Sequence, residues 1–416
     1  MTNFINSSTQ SSVKWDREAA DALYGISKWG AGYFAISDNG NLCVTPDVEK
    51  PHMQIDFASV IAEIQQQKIQ FPVVVRFHDV LRAQVVHLNK AFNDCMVEAE
   101  YQGIYRGVYP VKVNQMREVV EEIVDAGKAY HYGLEAGSKA ELLTIMAYNT
   151  TPEALTILNG YKDEEFVQLA FLAQKLGRNV LIVVEKFSEI KMIVRIAKEL
   201  GESPMIGLRA KMSVKGRGKW EGSGGDRANF GPTLIERINA GKYLADQGMG
   251  DCLKLLHFHI GSQLTDIRAV KEAINEGALI YSELRHLGFN LEYVDIGGGL
   301  GIDYDGTKST NDSSRNYSIE EYVADVVYGM KEVCDLEKVP HPTLVSESGR
   351  AITAHHSCVI TEIMGEIRPD SSQADLTIGH DEHVILTNMR ELASSMDTVT
   401  NLQAVSYTHL RAHETD

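Results

Sequence analysis

Gly107-Val108-Tyr109-Pro110-Val111-Lys112-Val113-Asn114-Gln115 is the stretch on which the reading of this chain turns. Val108, Val111 and Val113 favour an extended strand, and Pro110 demotes it locally to an edge or a bend. Lys112 lies near the end of the apolar run, where strand gives way to loop. A lysine there is open to partial desolvation, and burial lowers an ammonium pKa and frees the amine for Schiff-base chemistry with an aldehyde. The same residues equally fit a lysine snorkelling at a strand end.

Outward from this stretch, strand and helix patterns alternate, the mark of parallel βαβ units. Eight strands are expected to end near Lys112, Glu135, Asn159, Glu185, Arg209, His259, Gly297 and Glu347. Helices intervene, for example Arg117–Ala126, Lys139–Asn149, Asp163–Leu176, Ser188–Leu200, Leu234–Gln247, Asp266–Leu287 and Ile319–Leu336. The fold class is therefore α/β, a (β/α)8 TIM-type barrel over residues 81–350, with its site at the C-terminal ends of the strands. Every strand closes on a polar residue or a glycine, although any strand reaching solvent does the same.

An additional, incomplete β domain is expected from the two flanks. Residues 1–13 read as a disordered arm, and 14–80 as a segment carrying part of that domain. Asp16–Trp29 fits a short amphipathic helix, and Gly32–Pro46 a hairpin about Asp38-Asn39-Gly40. Phe57–Gln67 has helical spacing, Pro72–Phe77 reads as a buried strand and Val80–Gln102 as a long helix. Beyond the barrel, residues 351–405 return to β character, with strands at Thr353–Met364 and Val384–Leu386 about the polar loop Pro369–His383.

The chain has 416 residues, 44% of them hydrophobic, enough for one large barrel and part of another domain. Its net charge of −17 argues against nucleic acid as a partner and is compatible with a cationic substrate, or simply with solubility. Five cysteines, Cys43, Cys95, Cys252, Cys334 and Cys358, are widely spaced without C-x-x-C, which favours a reducing compartment over a disulfide framework or a zinc site. With no apolar stretch near membrane-spanning length and no signal pattern, a cytoplasmic location without a membrane partner is expected.

Four further constellations carry chemistry. Asp295-Ile296-Gly297-Gly298-Gly299-Leu300-Gly301 follows an apolar strand, and consecutive glycines let backbone N–H groups converge on an anion; a ligand-free glycine turn is the plainer reading. Asp303-Tyr304-Asp305-Gly306 follows in place of a helix, so this is no dinucleotide fingerprint. Ser346-Glu347-Ser348-Gly349-Arg350 places a carboxylate and a cation at a strand end, a pattern shared with structural ion pairs. His257-Phe258-His259-Ile260-Gly261-Ser262-Gln263 directs two imidazoles the same way, a conceivable metal pair with no third ligand evident in the sequence. Ser138 and Glu141 form a potential capping box after Glu135, and Lys215–Asp226 is a glycine-rich loop fit for a lid or a mobile surface segment.

Taken together, Tyr109–Asn114 and these segments resemble the group III, alanine-racemase-like pyridoxal-phosphate decarboxylases, and the form ending in Gln115 resembles the biosynthetic arginine decarboxylases, from about Ser12 to about Gln403. A pyridoxal enzyme needs a Schiff-base lysine, a phosphate cradle, a carboxylate for the pyridinium nitrogen and a surface against the ring. The resemblance assigns these to Lys112, to Gly297, Gly298 and Gly299 with Ser262, Gly349 and Arg350, to Glu347, and to His259. It puts Arg209 near the cofactor's hydroxyl side and assigns substrate contacts to Asp295, Gly301, Asp303 and Tyr304. Lys112, His259 and Glu347 are the implied catalytic residues. The order K-G-x-G-K-W…S-G-G in Lys215–Gly225 is nearer to arginine than to ornithine or diaminopimelate decarboxylases, while Glu135 stands where many relatives have Asp and Asn229 where Lys is commoner.

The implied reaction is L-arginine to agmatine and CO2, the opening step of agmatine, putrescine and spermidine synthesis. A homo-oligomer of at least two chains and magnesium (Mg2+) are implied as well, with no motif for the metal. The family's later cysteine-and-aspartate segment is not found, Cys358 being too early for it, so the chain reads as C-terminally truncated, with 406–416 a foreign tail. The alternatives are another decarboxylase or a racemase on the same barrel, or a truncated cofactor-binding barrel without turnover.

Overall fold

The computed structural model describes residues 16–46, 50, 52–149, 151–213, 234–367 and 383–386. Asp16 caps helix α1 (Arg17–Tyr24), which stops at Gly25 with φ of 62°, and α2 (Ile26–Trp29) adds one turn. The single helix expected over 16–29 is thus broken where only a glycine is comfortable. The expected hairpin forms from β1 (Phe34–Ile36) and β2 (Leu42–Val44), with Phe34 opposite Val44. β3 (Ile55–Asp56) extends the sheet, and the Asp56 carboxylate then caps α3 (Phe57–Gln66) by accepting from Ala58 and Ser59. Ile26, Tyr33, Phe34, Val44, Phe57, Phe77 and Val80 form a small core of their own.

β4 (Val73–Arg76) corrects the sequence reading: it is not a buried strand, and Val74 is 51% exposed. Three valines in a row satisfy the pattern of a core strand, but burial depends on what covers the strand. α4 (His78–Glu98) then runs to the barrel and stacks Phe92 on Tyr105, ring centroids 3.8 Å apart.

The barrel strands are β5 (Tyr105–Pro110), β6 (Gly133–Ala136), β7 (Leu155–Leu158), β8 (Asn179–Val184), β9 (Met205–Ala210), β10 (Leu253–Phe258), β11 (Tyr293–Asp295) and β12 (Thr343–Ser346). Between them lie α5 (Arg117–Gly127), α6 (Lys139–Tyr148), α7 (Glu164–Lys175), α8 (Phe187–Leu200), α9 (Leu234–Asp246), α10 (Ile267–His286) and α11 (Ile319–Glu337). All pairings are parallel, and the sheet closes where β12 meets β5, Leu344 opposite Tyr105. Val108, Leu155, Ile157, Leu181, Val183, Leu255 and Val345 pack into the interior, while residues such as Tyr109, Leu134 and Ile182 join the layer beneath the helices. Burial on both faces is why these strands read as continuous apolar runs. Pro110 is neither an edge nor a mid-strand defect. It pairs with Glu135 as the last residue of β5, inside a closed barrel, where its missing N–H falls at the end of the ladder.

After β12, α12 (Arg350–Thr353) makes one turn and β13 (Ser357–Ile360) pairs antiparallel with β4, Ser357 opposite Arg76. The chain does return to its N-terminal segment, but the strand begins at Ser357 because Arg350–Thr353 is helical. Residues 384–386 are a helical turn rather than a strand, an apolar run too short for periodicity to distinguish the two. The expected arm over 1–13, the whole glycine-rich loop Lys215–Asp226, the polar loop Pro369–His383 apart from His383, and the tail 406–416 lie outside the described residues.

Candidate active site

β5 ends at Pro110, and Val111–Val113 turn as a short 3-10 helix that carries Lys112 to the barrel mouth. Its half-exposed ammonium donates to both oxygens of Glu135, at 3.0 and 2.9 Å, across the gap to β6. Burial and the charge of Glu347 push Glu135 up to about 7, against the pull of Lys112 and Asn159. For Lys112, desolvation lowers the pKa, but Glu135 and Glu347 outweigh it and the amine is raised. The expected depression of this pKa by burial is therefore corrected: two carboxylates beside the ammonium favour its charge more than partial desolvation disfavours it.

Glu135 and Glu347 meet at Asn159, directly after β7. Its Nδ2 donates to Glu135 Oε1 at 3.1 Å and to Glu347 Oε1 at 2.6 Å. Behind Glu347 lie His257, with Nε2 3.7 Å from Glu347 Oε2, and the fully buried Asp295. Burial opposes ionisation of Glu347, but His257, Lys112 and the Asn159 amide hold its carboxyl below the usual range. Burial and the charge of Glu347 raise Asp295 well above it, so Glu347 carries the charge of this pair and Asp295 the proton. The metal pair conceivable from the sequence, His257 with His259, is not what the structure assembles: His257 instead meets Asp295 and Glu347, with donor atoms within 4.8 Å of one another. Two of those acids are already engaged, Glu347 with Asn159 and Asp295 with the Gly297 N–H at 2.8 Å.

The glycine run packs against the end of β10. A Cβ on Gly297, where φ is 69°, would lie 2.5 Å from Phe258 O. On Gly298 it would lie 2.7 Å from Glu347 O and 3.5 Å from His259 Nε2. His259 accepts from the Gly261 N–H through Nδ1 at 3.0 Å, which leaves its own proton on Nε2. Burial first, then the charge of Arg209, push it down to about 3, so it is neutral. Arg209 donates to Glu185 at 2.7 Å. Arg350, opening α12, reaches Ser262 Oγ at 3.2 Å and Tyr304 OH at 3.0 Å. A Cβ on Gly349 would strike Val113 Cγ2 at 2.5 Å, so this glycine seats the lysine turn.

Residues 81–354, which contain all of these groups, match the family described as pyridoxal-dependent decarboxylase, pyridoxal binding domain. The chain belongs to this family. It is 43% identical over 392 residues to the biosynthetic arginine decarboxylase of Phocaeicola vulgatus, covering 94% of this chain and 62% of that one. To the enzyme of the same description from Rhodopirellula baltica it is 47% identical over 352 residues, covering 85% and 52%. Its fold resembles the crystal structure of the biosynthetic arginine decarboxylase SpeA from Campylobacter jejuni, with a TM-score of 0.75 and 32% identity over 94% of this chain and 64% of that one. The chain therefore spans 52–62% of the length of these two curated relatives.

The pyridoxal group of this family fits the residues present. Gly298 lets its backbone approach that of Glu347 beside the His259 ring, and Arg350 Nε and both ring nitrogens of His257 are buried without a hydrogen-bond partner among the described residues. Lys112, Arg209, His259, Ser262, Gly297, Gly298, Gly299, Glu347, Gly349 and Arg350 gather at this one mouth. The four positions assigned to substrate do not gather there in the same way. Asp295 is sealed beneath Glu347. Gly301 is buried with its N–H given to Tyr317 OH at 3.0 Å. Asp303 accepts from Ser314 Oγ at 2.7 Å and Lys308 N at 3.2 Å, shaping its own loop. Tyr304 is exposed and touches Arg350 instead. Gly301, Asp303 and Tyr304 follow the turn through two glycines of positive φ, Gly297 and Gly299, whereas Asp295 precedes it.

Asn159 and Glu185 entered the sequence reading only as strand ends, and that position was their signal. Lys162 had none: a lysine in a loop reads as solvated, yet it is buried, and its amine donates to Gly160 O at 2.6 Å and to Val183 O. Ser138 caps α6 as expected, but Glu141 reaches back to the N–H of Gly137, not of Ser138.

Proposed function

We propose that this chain provides the cofactor-binding barrel and the reacting lysine of a pyridoxal-phosphate carboxy-lyase that converts L-arginine to agmatine and CO2. The observation that carries this reading is the convergence of Lys112, the glycine run and Glu347 at one barrel mouth. Its weight comes from the similarity of the whole segment to biosynthetic arginine decarboxylases. When bound, the pyridoxal group supplies the electron sink for the pair left at the substrate Cα as CO2 departs.

The chain's own residues do the rest. Lys112 offers the amine to which the cofactor's aldehyde attaches, and Glu135 keeps that amine at the mouth. The backbone of Gly297–Gly299 and Gly349, the Ser262 hydroxyl and the Arg350 guanidinium hold the phosphate. Glu347, kept ionised, holds a proton at the ring nitrogen, and Asp295 stands behind it. Neutral His259 offers an uncharged face to the ring, and Arg209, fixed by Glu185, serves the hydroxyl side. The net charge of −17 favours approach of a cationic amino acid.

The same reading includes a homo-oligomer, a role in polyamine synthesis and a cytoplasmic setting. The setting is supported by five unpaired cysteines and by the lack, among the described residues, of a helix long and apolar enough to cross a membrane. Residues 81–350 form the catalytic unit, with 14–80 and 351–405 contributing to a second, β-rich one. Magnesium is assigned to no residue. Incubating the chain and pyridoxal phosphate with L-arginine, L-ornithine, L-lysine or meso-diaminopimelate, and measuring CO2, tests the substrate. Release from L-arginine in preference to the others is expected. Release from another amino acid, or none from a chain carrying the cofactor, would contradict the assignment.

A further inference from the structure

The segment Asn159-Gly160-Tyr161-Lys162 is built more tightly than a surface turn requires. The Asn159 N–H donates to Ala136 O at 2.9 Å, tying it to β6. Gly160 has φ of 72°, and a Cβ there would lie 2.7 Å from Gly137 O. Its N–H donates to Glu185 Oε1 at 3.3 Å, and the buried Lys162 amine clamps Gly160 O and Val183 O from the β8 side. Burial drops that amine to about 8. A lysine used to clamp carbonyls inside a protein costs desolvation, and here the return is a fixed turn.

What the turn fixes is one amide. Both hydrogens of Asn159 Nδ2 are taken, one by Glu135 and one by Glu347, while Oδ1 is buried without a partner among the described residues. A flipped amide would set its oxygen against two carboxylates, so the orientation is determined by its surroundings. Two carboxylates this close in a buried site repel, and an N–H shared with each is what favours their charged forms.

We propose that Asn159 is a positioning residue whose amide joins the carboxylate beside Lys112 to the carboxylate at the end of β12 as one hydrogen-bonded unit. The proposal rests on the reading of this mouth as the pyridoxal site, where the unit would link the lysine's partner to the ring nitrogen's partner. Without the amide, Glu135 takes up a proton first, since burial and Glu347 already press it that way. Near neutral pH Lys112 then loses a charged neighbour and stays charged itself, with Glu347 and Glu141 remaining beside it.

The test uses the full chain without cofactor. Acetic anhydride labelling near neutral pH, read by peptide mapping, checks that Lys112 stays charged and protected in each variant. Urea midpoints across pH also give the titration of Glu135, which is the contribution that Glu135→Gln removes. In Asn159→Leu that titration should move to higher pH by about one unit, because the carboxylate has lost a hydrogen bond to its charged form. Asn159→Ala adds no bulk and should move it the same way if the leucine does not pack. In a Glu135→Gln background neither substitution should change the pH dependence further. An unmoved titration in a folded Asn159 variant, or an equal shift with Glu135 already removed, overturns the proposal. Failure of the wild-type chain to attach the cofactor at Lys112 would overturn the functional reading instead and leave the titration result standing.

Discussion

At the scale of single residues, the unusual feature is an acid kept near neutrality beside a lysine. Glu135 is raised to about 7, chiefly by burial and by Glu347, whereas an unfolded glutamate titrates near its ordinary value. A folded pKa above the unfolded one stabilises the fold at low pH, and that contribution is lost as pH rises through about 7. Between pH 8 and pH 6 the cofactor-free chain should therefore gain about 1 kcal/mol from this group. Glu135→Gln should remove that gain, as urea midpoints at the two pH values would reveal, and an identical pH slope in the variant would contradict the assignment. The residue type and its strand-end position are legible in the sequence. Its pKa is not, because the neighbours that set it, Glu347 and Asn159, come from two other strands. The same holds for Lys112, whose raised amine reflects charges that no local pattern displays.

Among elements, the eight barrel strands are legible because each is buried on both faces and has a polar residue or glycine at or just beyond its end, a pattern repeated through the chain. The less legible elements are those whose burial depends on a distant partner. β4 has the composition of a core strand, but among the described residues only β13 pairs with it and its outer side chains stay exposed. α4 has the opposite character, since Phe92 is fully buried against Tyr105 of β5. Phe92→Ala should cost about 3–5 kcal/mol. Val74→Ala, on the exposed side of β4, should change stability by no more than about 0.5 kcal/mol. Chemical unfolding of both variants checks the contrast, and comparable losses would mean that β4 is covered after all. Short runs escape the pattern for another reason: at 384–386, three apolar residues are too few for a period to emerge.

For the molecule as a whole, closure of the barrel explains how residues from Lys112 to Arg350 come to share one mouth. Seven parallel βα steps separate β5 from β12, and their pairing brings the lysine turn against Gly349. The functional residues implied for cofactor binding follow that closure. Of the positions assigned to substrate, Asp295 lies beneath Glu347 and Tyr304 accepts from Arg350, while Gly301 and Asp303 bond within the loop beyond the glycine run. The most direct test of this account is to mix the full chain with pyridoxal phosphate, reduce with borohydride and map the labelled peptide. A single reduced adduct on Lys112 is predicted, with the adduct lost in Lys112→Arg. A folded chain that binds the cofactor at another lysine, or carries none at Lys112, would contradict it.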